Sequence, residues 1–247
     1  MDLAGWIVTA IAVLLTGISK SGLGGALGGL AVPFMSMWLS PREAVAVMLP
    51  ILIAIDLVGI RNWRGKADWA ELRMLIPAAL LGIAVGTLAF GAMSERMLKG
   101  ALGLIAVGFA ADRLLRGGGK GAPAGAATRA FAWVCGAGSG FTSTLAHAGG
   151  PPIMVYLLSR RFARETFVAT SVFFFAVINL AKLPFYLSLG LFSRDTLTLS
   201  AMLLPLVPLG VWLGMRLLKA IPERPFQLFA TAALGLSGLK LLWDAFG

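Results

Sequence analysis

Several segments of this 247-residue chain run 15 to 21 residues without a charged side chain. This restricts the fold more than any other feature, because crossing ~30 Å of hydrocarbon takes about 20 apolar residues in helix. Strands of a membrane barrel would alternate apolar and polar residues over ~10 positions, and these runs do not alternate. Charged residues make up 13% of the chain, against about a quarter in a soluble domain. The sequence predicts an all-α polytopic membrane protein whose principal partner is the lipid bilayer.

The net charge of +10 does not point to nucleic acid. The basic residues cluster at the ends of apolar runs, where the positive-inside rule places them. Cys135 is the single cysteine, which excludes an intrachain disulfide and a multi-cysteine metal site; no cofactor or metal is expected. The opening Met1-Asp2-Leu3 lacks the basic flank of a signal peptide, so the first apolar run is expected to be retained.

Within this apolar background one stretch is out of place. Gly17–Pro33 holds six glycines in seventeen residues, together with Lys20. Five of them, Gly22, Gly24, Gly25, Gly28 and Gly29, fall within eight positions, enough to weaken any helix. Non-helical backbone at membrane depth persists only where it is buried in protein or lines a wet cavity. Broken helix ends there expose N–H groups with positive dipole character, which suits an anion.

The second half of the chain repeats the first. Gly17 and Pro33 recur as Gly136 and Pro152, and Leu39-Ser40 as Leu158-Ser159, both at a shift of 119 residues. Met74–Pro77 recurs as Met202–Pro205, Gly82 and Gly86 as Gly210 and Gly214, and Glu95-Arg96 as Glu223-Arg224, all at a shift of 128. Arg42-Glu43 has its counterpart in Arg164-Glu165. The expected organisation is a first repeat over 1–115, a Gly-rich linker over 116–129 and a second repeat over 130–247. Gly82, Gly86, Gly210 and Gly214 have the spacing of close helix packing.

Basic residues in the loops orient the repeats. If each glycine-rich region crosses the membrane once, alternate loops sum to 9 and 9 and no orientation follows. If each region instead enters and returns on its own side, the sums become 14 against 4, as the positive-inside rule requires. Each half then holds a Gly-rich hairpin, or broken helix, plus three transmembrane helices, about eight hydrophobic segments in all. The halves are inverted relative to one another, and both termini lie on the non-cytoplasmic side. Inverted repeats with broken helices at mid-membrane are a recurring transporter architecture.

Candidate binding residues follow from the two motifs. The first supplies Lys20, Ser21, Gly22, Gly24 and Gly25. The second supplies Ser139, Gly140, Thr142, Ser143, His147, Gly149 and Gly150, with Thr144 beside them. The hydroxyls donate to an oxyanion or bond back to their own helix. His147, the single histidine, either donates to an anion, takes up a proton or serves structure. Ionisable side chains inside apolar runs are functional candidates by default. Lys20 and Lys182 are the lysines farthest from loops, and Asn179, Lys182 and Tyr186 lie three and four apart, on one helix face. Asp56 is the one carboxylate well inside an apolar run, either the partner of a lysine or a carrier of a coupling ion, proton or sodium.

Gly17–Pro33, Gly149-Gly-Pro-Pro152 with Tyr156-Leu157 following, and the Asn179-x-x-Lys182-x-x-x-Tyr186 pattern resemble the TauE/SafE family of sulfite exporters, also called the 4-toluene sulfonate uptake permease family. The resemblance runs along nearly the whole chain. It implies a bacterial inner-membrane protein moving sulfite, sulfonates or related small anions. The chain contains no Gly-x-x-x-x-Gly-Lys-[Ser/Thr] phosphate loop, so energy would come from a gradient or the membrane potential. The potential, worth ~2.3 kcal/mol per charge per 100 mV, by itself favours anion export from a cell negative inside. Two other readings stand beside this one. A membrane enzyme could group Ser143, His147 and Asp56, although no Gly-x-Ser-x-Gly elbow supports it; a scaffold would use the lysines only for structure. A carrier for another small organic or inorganic anion is the nearer alternative. The oligomeric state is not specified by the sequence.

Overall fold

A computed structural model describes residues 3–22, 28–115, 128–160, 162–217 and 223–247. All regular structure among them is helical. In chain order the elements are α1 (Leu3–Gly22), a 3-10 turn (Gly28–Leu30), α2 (Ala31–Met35), α3 (Pro41–Trp63), α4 (Trp69–Ala92) and α5 (Glu95–Leu115). There follow α6 (Arg129–Ala146), α7 (Gly150–Ser159), α8 (Arg164–Ser188), α9 (Arg194–Leu203), α10 (Leu206–Leu217) and α11 (Glu223–Phe246). The chain is an all-α polytopic membrane protein. Four of the described helices are long and apolar enough to cross a bilayer, and a fifth crossing forms if α9 and α10, bent by 45°, count as one. Leu81, Val85, Leu88, Leu104, Val134 and Leu187 are among the many large apolar side chains on the outer surface, where water would penalise them and lipid does not.

Element order runs the same way in both halves: a long helix, a short helix, a long helix and then, with α9 and α10 taken as one bent stretch, two further helical stretches. The second short helix begins 119 residues after the first, at Gly150 against Ala31, and α11 begins 128 after α5, at Glu223 against Glu95. Those are the two sequence shifts. Pro77 is accommodated inside α4, whereas its counterpart Pro205 separates α9 from α10; proline removes one helical hydrogen bond in either place.

Local chemistry sets the helix starts. Ser40 and Glu43 form a reciprocal capping box at the head of α3, and Asp68 caps α4 by accepting from Ala70 and Glu71 N–H groups. Arg42 returns to the carbonyls of Phe90 (3.3 Å) and Met93 (3.0 Å) at the end of α4, meeting acceptors left over at a helix terminus. Near the α7 end, buried Glu71 receives Tyr156 Oη at 2.5 Å and pairs with Arg160 at 2.7 Å, fastening α4 to the second hairpin.

Glycine determines how closely the helices approach. α4 packs along α6, where a Cβ on Gly82 would meet Ala137 carbonyl carbon at 2.8 Å and Phe141 N at 2.9 Å. From the other side a Cβ on Gly140 would lie 2.8 Å from the Ala79 carbonyl carbon. The corresponding pair, α1 on α10, uses Gly17 against Gly210 and Gly214 against Ile18. Gly82, Gly86, Gly210 and Gly214 thus sit at small-residue helix contacts, as their spacing predicts. Each hairpin's long arm is thereby clamped to a helix of the opposite half.

Candidate functional site

The two glycine-rich breaks meet. A Cβ placed on Gly29, in the 3-10 turn, would lie 2.9 Å from the Ala148 side chain, so the two glycine-rich stretches touch there. Gly24 and Gly25 lie outside the described residues, and Gly22 is the last residue of α1. In the second hairpin α6 ends on His147, which adopts φ 51° and ψ 25°, the left-handed region that costs a non-glycine residue roughly 1–2 kcal/mol. Gly149 lets the chain fold back against α6: a Cβ there would meet Ser139 Oγ and O at 2.8 Å. Gly150 then starts α7.

The hydroxyls of this hairpin bond mostly to backbone, and two of them reach across the break. Ser139 Oγ donates to Gly149 O at 2.7 Å across it. Thr142 Oγ1 lies 2.8 Å from Gly138 O and 3.0 Å from Ala148 O, and Thr144 Oγ1 donates back to Gly140 O at 2.9 Å. On the first hairpin Ser21 Oγ donates to Gly17 O at 2.7 Å. A hydroxyl has one proton to give, so these donors are committed to backbone in this arrangement.

The charged residues do converge. Asn179, Lys182 and Tyr186 share one face of α8 and each reaches a different partner. Asn179 Nδ2 donates to Asp56 Oδ2 at 2.6 Å. Lys182 Nζ reaches Ser143 Oγ at 2.9 Å, Ser143 O at 3.2 Å and His147 Nδ1 at 2.7 Å, three acceptors for the three N–H bonds of an ammonium. Tyr186 Oη donates to Thr144 O at 2.8 Å, and its ring lies 6.1 Å from that of His147. Lys20 forms a buried ion pair with Asp56, and its ammonium lies 5.1 Å from the centre of the Phe175 ring.

These bonds fix the tautomer of His147. Its Nε2 lies 2.9 Å from the Val45 carbonyl, which only accepts, so Nε2 carries the proton. Nδ1 is then free to accept from Lys182. The hydrolase-like grouping of Ser143, His147 and Asp56 does not form. His147 faces Lys182 and Val45, while Asp56 faces Lys20 and Asn179.

Two cavities flank this network. A small inner one of about 10 Å³ is bordered by Lys20, Ser143, His147, Gly150, Phe175 and Asn179, space for about one water. A larger one of about 200 Å³ lies between α1, α3, α8 and α10, with Lys20, Ser21 and Asp56 at one end. Asn62, Lys66 and Glu165 border its exposed end, with Trp63 beside them. Asn62, Trp63, Lys66 and Phe175 were not among the sequence candidates. Nothing in a chain position marks a residue as facing a cavity; the basic run from Arg61 to Arg73 was the only available signal.

Lys182 has no exposed surface, and Lys20, Asp56, Asn179 and His147 are all below 8%. A polytopic helical protein with two broken-helix hairpins in contact and a buried, charged centre between them has the construction of a membrane carrier. The chain belongs to the sulfite exporter TauE/SafE family, whose model matches residues 9–241. Neither curated proteins nor solved structures gave a match.

Proposed function

We propose that this protein is a secondary carrier for a small sulfur-containing anion, sulfite or an organosulfonate, held between the two hairpins on Lys20 and Lys182. The supporting observation is the charge balance of the centre: two buried lysines against one carboxylate, Asp56. Among the described residues Lys182 bonds only neutral groups. An unpaired buried ammonium is unfavourable by several kcal/mol, and one bound anion would cancel the excess. Low local dielectric strengthens that attraction.

Backbone N–H groups at the hairpin breaks, Gly22, Gly24, Gly25, Gly149 and Gly150 among them, would complete the shell. The hydroxyls of Ser21, Ser139 and Thr142 would join it only by exchanging their present backbone bonds, whereas Ser143 Oγ accepts from Lys182 and keeps its own proton to donate. Gly140, facing Ala79, shapes the packing behind the site. His147 positions Lys182 through Nδ1, and the Tyr186 ring lies beside that of His147. Because the inner cavity holds about one water, hairpin movement must widen it before an oxyanion fits, as alternating access requires.

A thermal-shift screen of the purified protein against sulfite, sulfate, thiosulfate, sulfoacetate, aryl sulfonates and small carboxylates tests the substrate class. Stabilisation by sulfur oxyanions or sulfonates is expected. A response to carboxylates alone would remove the sulfur assignment.

The same reading places the protein in a bacterial inner membrane, with its repeats inverted and both termini outside the cytoplasm. The second arms support re-entrant hairpins: α7, at ten residues, reaches only ~15 Å, half the hydrocarbon thickness. A reporter active only in the cytoplasm, fused after Gly247, is expected to be silent; activity there would invert the topology.

A further inference from the structure

We propose that Asp56 is a tethered stand-in for the transported anion. It holds Lys20 whenever no anion does, and an anion arriving through the larger cavity takes Lys20 from it. This rests on the carrier reading above and adds to it how the site manages its charge between anions.

The placement of three side chains carries the proposal. Lys20 borders both cavities, Asp56 borders only the larger and Asn179 only the smaller. The linked side chains Lys20, Asp56 and Asn179 are therefore the partition between the two spaces. An anion in the larger cavity meets Lys20 already engaged by Asp56. It can bind only by displacing a carboxylate, its chemical like.

The surroundings favour such an exchange. Asp56 Oδ2 is held by Asn179 at 2.6 Å, so the carboxylate keeps a hydrogen bond when its other oxygen is released. Phe175 lies against the Lys20 ammonium and offers it a π face that neither anion removes. The cavity wall behind the pair, made by Ile55, Gly59, Val172 and Val211, has no charge to compete for the lysine. Lys66 and Glu165, paired with each other at 2.9 Å, sit at the exposed end.

A carrier that moves its substrate in one net direction must also reset without it. Were Lys20 also to reset unpaired, it would add a second uncompensated buried ammonium to that of Lys182, and each such charge is strongly disfavoured. Asp56 supplies the missing negative charge from within the protein. Without it, Lys20 must carry an anion in both directions, and the protein becomes an exchanger.

Asp56→Asn tests this, with [35S]sulfite as the probe. Equilibrium binding is measured on purified protein, and net uptake and sulfite–sulfite exchange are measured in proteoliposomes. The expected result is sulfite binding at least ~10-fold tighter than wild type, since the internal competitor is gone, and a ratio of net flux to exchange at least ~10-fold lower. Binding that weakens or stays the same, or net flux and exchange falling together, overturns the proposal. Should Asp56→Asn not fold, Lys20→Gln with Asp56→Asn removes both charges of the pair and adds no unpaired ion to the centre. That double variant is expected to bind sulfite at least ~10-fold more weakly than wild type, and wild-type affinity in it overturns the proposal. Wild-type protein with neither binding nor exchange of any anion in the screen overturns the carrier reading and this role together. Wild-type exchange with an unaltered Asp56→Asn ratio overturns this role alone.

Discussion

Lys182→Met is expected to lower the initial rate of sulfite uptake in proteoliposomes about 100-fold while the protein remains folded. A charge-assisted hydrogen bond contributes about 1.5–3 kcal/mol, and each 1.4 kcal/mol is tenfold in rate. Loss of the one direct bond from Lys182 to an anion therefore accounts for that fall. Stability is expected to change little, because two effects oppose. Ser143 and His147 Nδ1 lose their donor, which costs about 1–3 kcal/mol for each buried group left unbonded. Against this, a fully buried ammonium is replaced by an apolar chain of similar length, a change that is often neutral or stabilising. Thermal unfolding measured beside uptake separates the two effects. Wild-type uptake in folded Lys182→Met would remove Lys182 from the site.

Gly82→Ala and Gly140→Ala should each destabilise the protein by about 3 kcal/mol, the upper range for overpacking, or roughly 6–12 °C in the unfolding midpoint at this chain length. The new methyl group would meet backbone in both cases: Ala137 and Phe141 for Gly82, and Ala79 for Gly140. Backbone cannot rotate aside as a side chain can, so α4 and α6 must separate. Gly108→Ala is the control. A Cβ there has nothing within 4 Å, and alanine's better helix propensity should leave stability unchanged or raised by up to about 1 kcal/mol. Equal midpoints for all three variants would show that glycine at the α4–α6 contact is not required for close packing.

Much of the architecture was legible because it follows from local or periodic properties. Uncharged runs of membrane length marked the helices, and two glycine clusters marked the breaks. The two sequence shifts recur as the spacings between element starts. Asn179, Lys182 and Tyr186 were placed on one face by helical period alone, and their three hydrogen bonds point into the same centre. Asp56 was left open between pairing a lysine and carrying a coupling ion; in the structure it pairs Lys20. The hydroxyls were harder to read. A serine or threonine can serve a ligand or its own backbone with equal chemistry, and here Ser139, Thr142 and Thr144 bond to backbone.

Membrane residence and the two glycine-rich stretches were legible in the sequence alone, since each depends on residues close together in the chain. Which charges meet was decided only by the tertiary structure. Lys20 finds Asp56 at a separation of 36 residues, and Asn179 reaches the same carboxylate across 123. Such bonds depend on the rotation of each helix about its axis and on how closely helices approach. Those quantities are set by contacts such as Gly82 on Ala137 and Gly210 on Gly17, which form only once the whole bundle is assembled.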